Sequence, residues 1–162
     1  MISWKNLLPA AALALTTLSA TAEDTLLSSG QTLYLPVYSH IWHGDLVVEG
    51  RYPLKNQVSA LVSIRNTSLR TPIKVLAASY YGTDGKLLKE YLAKPRTIVP
   101  MGTFELFVEK KESAGGSGAN FLIRWESATP TNTPVVEAVH ADIKGHQTLT
   151  FVTSAKPIQP DK

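Results

Sequence analysis

Gln57-Val58-Ser59-Ala60-Leu61-Val62-Ser63-Ile64-Arg65-Asn66 is the stretch that decides the fold class. Successive side chains of an extended chain point to opposite sides, so Val58, Ala60, Val62 and Ile64 share one face while Ser59, Ser63 and Arg65 share the other. Leu61 is the only apolar residue out of phase. The pattern belongs to a strand with one face in a core and one in water.

The same period of two recurs in both directions from this stretch. Downstream, Ile73 to Tyr81 and Leu87 to Leu92 flank Gly82-Thr83-Asp84-Gly85-Lys86, in which Asp-Gly predicts the positive φ angles of a tight hairpin turn. Gly102 to Glu109 sets Phe104, Leu106 and Val108 against Glu105 and Glu109, and Asn120 to Glu126 sets Phe121, Ile123 and Trp125 against Arg124 and Glu126. Val135 to Asp142 is a strand whose inward face alternation does not assign, and Thr148 to Thr153 places Leu149 and Phe151 inward with threonines outward. Upstream, Leu33 to Ser39 alternates Leu33, Leu35 and Val37 with Tyr34, Pro36 and Tyr38, and Pro36 predicts an edge strand. No window beyond Glu23 carries a capped helical stripe. Seven to eight short strands separated by Gly, Pro, Asn and Asp turns predict a single all-β domain, an antiparallel β-sandwich of immunoglobulin-like or fibronectin-like type, with a small barrel as the alternative.

The chain has 162 residues and no cysteine, which excludes a disulfide scaffold, a zinc ribbon, an iron–sulfur site and a thiol nucleophile. Charged residues make up 18% and hydrophobic ones 44%, a balance that argues against disorder and against a nucleic-acid-binding tail. At the N-terminus Lys5 precedes the apolar stretch Leu7 to Leu18, and Ala20-Thr21-Ala22 supplies a small-x-small cleavage pattern. Residues 1–22 therefore read as a secretory signal peptide, since Leu7 to Leu18 is too short for the ~20 residues of a membrane span. Residues 23–32 are a lead-in, 33–154 the sandwich and 155–162 a disordered tail. The expected product is exported, periplasmic or secreted, with no transmembrane segment and, lacking cysteine, no lipid anchor.

Between Arg51 and Arg96 lie nine basic and two acidic residues. Strands of that region in one sheet would form a basic face for an anionic partner; strands interleaved between two sheets would neutralise it.

Four features could carry chemistry. His40-x-x-His43 with Asp45 offers zinc or copper ligands, which His140 and His146 could complete, but i and i+3 point to opposite faces of a regular strand, so chelation needs a turn here, which His43-Gly44-Asp45 could provide. The rival reading is one histidine satisfied by backbone and one solvated. The run Lys111 to Asn120 could form a glycine-rich anion nest, yet a strand follows it where a phosphate loop has a lysine and a helix. A bulged loop, bridged by Asn120, is the plainer reading. Ser117 stands between glycines without the strand-to-helix elbow of a hydrolase, and Glu105 with Glu109 fits a solvated face better than a catalytic dyad. Tyr34, Tyr38, Trp42 and Tyr52 crowd the N-terminal third, and aromatics with polar tips suit both recognition surfaces and cores.

Asn66-Thr67, the run Tyr80 to Leu88 and the turn Ile98 to Phe104 resemble segments common in exported bacterial immunoglobulin-like domains. Val37-Tyr38-Ser39-His40-Ile41-Trp42-His43-Gly44-Asp45, Leu61 to Thr67, and Gly115-Gly116-Ser117-Gly118-Ala119-Asn120-Phe121 followed by Val136 to Val139 together resemble an uncharacterised bacterial domain-of-unknown-function family of exported proteins. The resemblance runs from about Leu33 to about Thr153 and implies no activity. Some members resemble lipoproteins, from which this chain departs in lacking the anchoring cysteine.

The reading that follows is a non-catalytic binding or interaction module, with Tyr38, His40, Trp42, His43, Asp45 and Asn120 as binding residues, no cofactor, and a protein or cell-envelope partner. The alternative is a metal- or small-ligand-binding protein using His40, His43 and Asp45. Nothing in the sequence sets an oligomeric state.

Overall fold

The computed structural model describes residues 27–45 and 53–159. The leader expected over residues 1–22, together with Arg51 and Tyr52, lies outside them. Among the described residues the chain forms strands β1 (Ser28–Pro36), β2 (His40–His43), β3 (Leu54–Gln57), β4 (Ser59–Arg65), β5 (Ile73–Tyr81), β6 (Leu87–Glu90), β7 (Arg96–Ile98), β8 (Thr103–Val108), β9 (Asn120–Thr131), β10 (Val135–Lys144), β11 (Gln147–Ser154) and β12 (Lys156–Ile158), with one 3-10 turn at Gly116–Gly118.

All pairings are antiparallel. One sheet runs β12-β1-β9-β5-β6 with β7 also on β5, a second runs β11-β10-β4-β8, and β2 pairs only with β3. Leu33, Leu35, Ile73, Val75, Tyr80, Phe121, Ile123 and Trp125 from the larger sheet and Ala60, Val62, Ile64, Leu106, Val108, Val136 and Ala138 from the smaller one join a single buried cluster. Two open sheets therefore share one core in a sandwich-like arrangement. Each fully buried Leu, Ile, Val or Phe side chain contributes about 1.5–3 kcal/mol relative to exposure, which makes this cluster the main stabilising feature. Among the described residues no helix is long and apolar enough to cross a membrane.

The alternation of β4 holds: Ala60, Val62 and Ile64 are buried, Leu61 is 36% exposed, and Ser63 and Arg65 lie on its outer side. The inward face of β10, which alternation left open, is Val136, Ala138, His140 and Asp142. Other expectations are corrected. Twelve strand segments stand where seven to eight were expected, because short strands β2, β3, β7 and β12 escape a pattern-based reading. The strand carrying Pro36 is not an edge, since β1 lies between β12 and β9. Val37 donates to Ala119 on the β9 side, so by alternation the missing N–H of Pro36 faces the other way, beyond Tyr34, where β12 pairing ends. The stretch expected to be a disordered tail from residue 155 contains β12, and the lead-in over 23–32 contains the start of β1.

The β5–β6 hairpin forms as expected, with Tyr81 opposite Leu87. Its turn differs in detail: Gly85 donates to Gly82 and Gly85 alone takes a positive φ, +78°, so this is a type I turn closed by a left-handed glycine. In the Val99–Gly102 turn the left-handed residue is Met101, φ +59°, after Pro100. The basic stretch is divided, Arg65 pairing with Glu137 in the smaller sheet and Lys74 with Glu126 in the larger. Asn66 explains part of the Leu61 to Thr67 motif: its buried carboxamide donates to the carbonyls of Thr71, Ile98 and Val99 and accepts from Ser68 N–H, tying the β4–β5 loop to the β7–β8 turn.

Candidate functional site

Strand β1 leaves its sheet at Pro36, and the chain crosses to the β2–β3 ribbon at one end of the sandwich. Val37 N–H donates to Ala119 and Ser39 N–H to Gly116, both at 2.9 Å, while Val58 N–H donates to Ser39 at 3.0 Å. The backbone thus places the Tyr38 to Asp45 segment beside the glycine loop, and Asn120 begins β9 opposite Pro36 and Tyr81. Two segments remote in sequence share one end of the fold.

A sealed polar cluster fixes this base. The Glu112 Oε2 accepts the Ser39 hydroxyl at 2.9 Å and the Tyr80 hydroxyl at 2.8 Å, and its Oε1 accepts Ala114 N–H at 2.7 Å and Gly115 N–H at 3.2 Å. Each hydroxyl has one proton, so with both directed to Glu112 the 3.1 Å approach of Ser39 to Tyr80 brings no third proton of its own. Burial is the main cause that raises the Tyr80 phenol far above its ordinary value of 10, with the Glu112 charge adding to it. Ser39 is 0% and Tyr80 1% exposed, so these oxygens cannot meet a substrate from solvent. Gly115 packs against them so closely that a Cβ there would stand 2.0 Å from the Tyr80 hydroxyl. Thr83 completes the clamp, accepting Gly118 N–H at 2.8 Å and donating to Gly115 at 2.9 Å. The loop from Lys111 to Asn120 is therefore pinned, with its Gly115 and Gly116 carbonyls and Gly118 N–H already engaged, and it is held by Glu112 and Thr83 rather than by a bridge from Asn120.

Aromatic rings cover the two sides of the crossing. Tyr38 meets His140 and Phe151 edge-on at 5.7 and 5.5 Å, and its N–H donates to His140 Nε2 at 3.1 Å. His40 is buried and meets Trp42 edge-on at 4.9 Å; burial first and the Lys55 charge second lower its pKa below 6.5. Trp42 is 40% exposed on the ribbon, with Lys55 5.8 Å from its ring centroid. Tyr34, from the same N-terminal aromatic set, stands apart on β1.

The metal-ligand expectation is not supported by this geometry. The turn expected at His43-Gly44-Asp45 forms, with Gly44 at φ +84°, but strand β2 before it runs unbroken from His40 to His43, burying the first histidine and exposing the second. Asp45 is exposed beyond it, His140 is sealed under Tyr38, and His146 lies in the exposed β10–β11 turn. Among the described residues no group of three or more His, Cys, Asp or Glu side chains is arranged to hold a metal ion.

Sequence reasoning missed Glu112 and the buried Asp142, whose carboxylate binds Lys110 and, at 3.0 Å, Lys144. Hydrogen bonds from Lys110 and then Lys144 hold its pKa below 3.8. Neither residue sits in a local pattern; the one signal available was a carboxylate three residues before Gly115.

A family model described as "Protein of unknown function (DUF3124)" matches residues 30–158. No curated protein matches the chain. The crystal structure of Thermotoga maritima 1070 is similar at 17% sequence identity, over 78% of this chain and 92% of that one, with a TM-score of 0.43.

Proposed function

This chain belongs to the DUF3124 family of proteins of unknown function, a fold without an attached activity, and we propose that it is an exported, non-catalytic binding module that meets a protein or cell-envelope partner through its β2–β3 end. One observation carries the reading: Trp42 is 40% exposed on a ribbon hydrogen-bonded into neither sheet. Large aromatics of this kind anchor interfaces, because they bury much area at low entropic cost. The pinned base beneath the ribbon supports the same reading, since a preorganised surface loses less freedom on binding. The burial of Ser39 and Tyr80 against the half-buried Glu112 supports a structural rather than catalytic use of the most concentrated polar cluster. His43 and Asp45, exposed at the ribbon's tip side, extend the recognition surface; His40 and Tyr38 support it from below. No cofactor is part of this reading.

The test is co-purification of the tagged chain from its cells, wild type against Trp42→Ala. Retention of a discrete partner by the wild type and its loss in the variant supports the module; equal retention, or none in either, refutes it.

A further inference from the structure

The outer side of the four-stranded sheet carries a row of apolar side chains. Phe107 lies opposite Leu61, Leu61 opposite Val139, and Val139 opposite Val152. The row crosses the sheet from the β8 edge to the β11 edge without a break. Its members are 55%, 36%, 38% and 56% exposed in that order. Single exposed apolar residues are ordinary, whereas a contiguous set on one face marks a contact surface.

We propose that this face is the interface of a symmetric dimer, two copies packed face to face about a two-fold axis that lies between the two sheets, parallel to their strands, and runs over the line between β4 and β10. Size argues for it. A two-fold axis reverses strand order, so Phe107 lies over Val152 of the other copy and Leu61 over Val139 of the other copy, the larger side chain over the smaller at each place. The gap between the sheets is then even along the row. Charge argues for it independently. The flanking rows are Glu105, Ser63, Glu137 and Ser154 on one side and Ser59, Ala141 and Thr150 on the other, the latter extended by the exposed Glu109 just past β8. The same axis folds each row over itself, bringing Glu105 over Ser154, Glu137 over Ser63 and Glu109 over Thr150 of the other copy. Glu105 and Glu109 each meet a hydroxyl, Glu137 stays paired with Arg65 of its own copy over the buried Ser63, and no carboxylate meets another. Aligned sheets cross at about 30°, which shifts the ends of the rows more than their centre. Four strands at ~4.8 Å spacing and some six residues of length give a face of about 20 by 20 Å, roughly 800 Å² over both copies and below the size of a standard stable interface, so the dimer is weak and forms as concentration rises.

Sedimentation velocity of the mature chain over a concentration series, from a few micromolar to several hundred, tests this. Wild type and Val99→Glu, a substitution at an exposed apolar residue off the row, shift from monomer to dimer together, while Leu61→Glu stays monomeric with an unchanged circular dichroism spectrum. A wild type that remains monomeric throughout, or a Leu61→Glu variant that dimerises like the wild type, overturns the proposal; a monomer would assign the face to a different partner. Geometry is tested separately, because the described chain has no cysteine of its own. Single variants Phe107→Cys and Val152→Cys, mixed and treated with a short bis-maleimide, join to each other and not to themselves, since like positions stand ~14 Å apart along the sheet. Self-joined products equal to the mixed product contradict the axis.

Discussion

His140 lies flat on Phe151, ring centroids 4.4 Å apart and planes within 4°. Its Nε2 accepts Tyr38 N–H, so the ring's proton sits on Nδ1, which is buried without a hydrogen-bond partner. A second proton would have to enter beside the Tyr38 N–H in a site closed to water. Burial accordingly pushes His140 down to about 4 from its ordinary 6.5, against smaller opposing contributions from the carbonyls of Ala138 and Phe151.

The unfolded chain therefore binds a proton that the folded chain refuses between pH 6.5 and about 4. Stability is full above 6.5 and falls as pH drops through that window, by at most about 3 kcal/mol at ~1.4 kcal/mol per unit. Urea unfolding from pH 7.5 to 4 measures it. His140→Phe keeps the stack and removes the titration, so its stability is lower at pH 7 but flatter across the window. Asp142, held below 3.8, loses its contribution only at still lower pH, which keeps the two effects apart.

Gly115→Ala forces a methyl into the Tyr80 hydroxyl and destabilises by roughly 1–3 kcal/mol, the usual cost of overpacking. Tyr80→Phe removes the clashing oxygen but not the ring carbon 2.8 Å from the same point. The double variant is therefore less stable than wild type yet more stable than the two single losses added together. Strict additivity in thermal unfolding would contradict the contact.

Glu112→Ala strands two buried hydroxyls and two N–H groups at once, and the expected loss is about 2–4 kcal/mol at 1–3 kcal/mol per orphaned group with partial repair by a Ser39–Tyr80 hydrogen bond. Lys111→Ala one position earlier breaks only the exposed pair with Glu109 and leaves stability close to wild type. Chemical denaturation of both variants checks the contrast. Similar losses would mean that Glu112 is not the organising group.

The faces of β4, β8 and β9 and the β5–β6 hairpin were readable because a half-buried strand writes its environment into a period of two, as Ala60, Val62 and Ile64 show. Where burial does not alternate, the signal fails. Strand β3, Leu54–Gln57, is largely polar and pairs only with β2, so nothing in its composition announces a strand. Strand β12 contains Pro157 and is exposed throughout, held by backbone pairing to β1 alone. The candidate site was half legible: aromatics and histidines in Tyr38 to Asp45 marked the segment, and the glycine run marked its neighbour. That they meet depends on backbone bonds such as Ser39 to Gly116, which are long-range and independent of side-chain type. Leu61, out of phase in the deciding stretch, was the one visible trace of the apolar row.

Trp42 reports the ribbon directly. Of the two tryptophans among the described residues, Trp125 is 1% and Trp42 40% exposed. Acrylamide quenching therefore acts mainly on Trp42, and Trp42→Ala leaves a blue-shifted, poorly quenched spectrum. A strongly quenched residual signal would place Trp125 outside the core.

The central claim, that the β2–β3 end is the surface this protein uses to bind, is tested most directly by placing a photo-cross-linking amino acid at position 42 in the cells that make the chain, with position 99 on the β7–β8 turn as the control. The account predicts one discrete cross-linked partner from position 42 and none from position 99. No discrete product from position 42, or the same product from both positions, would contradict it.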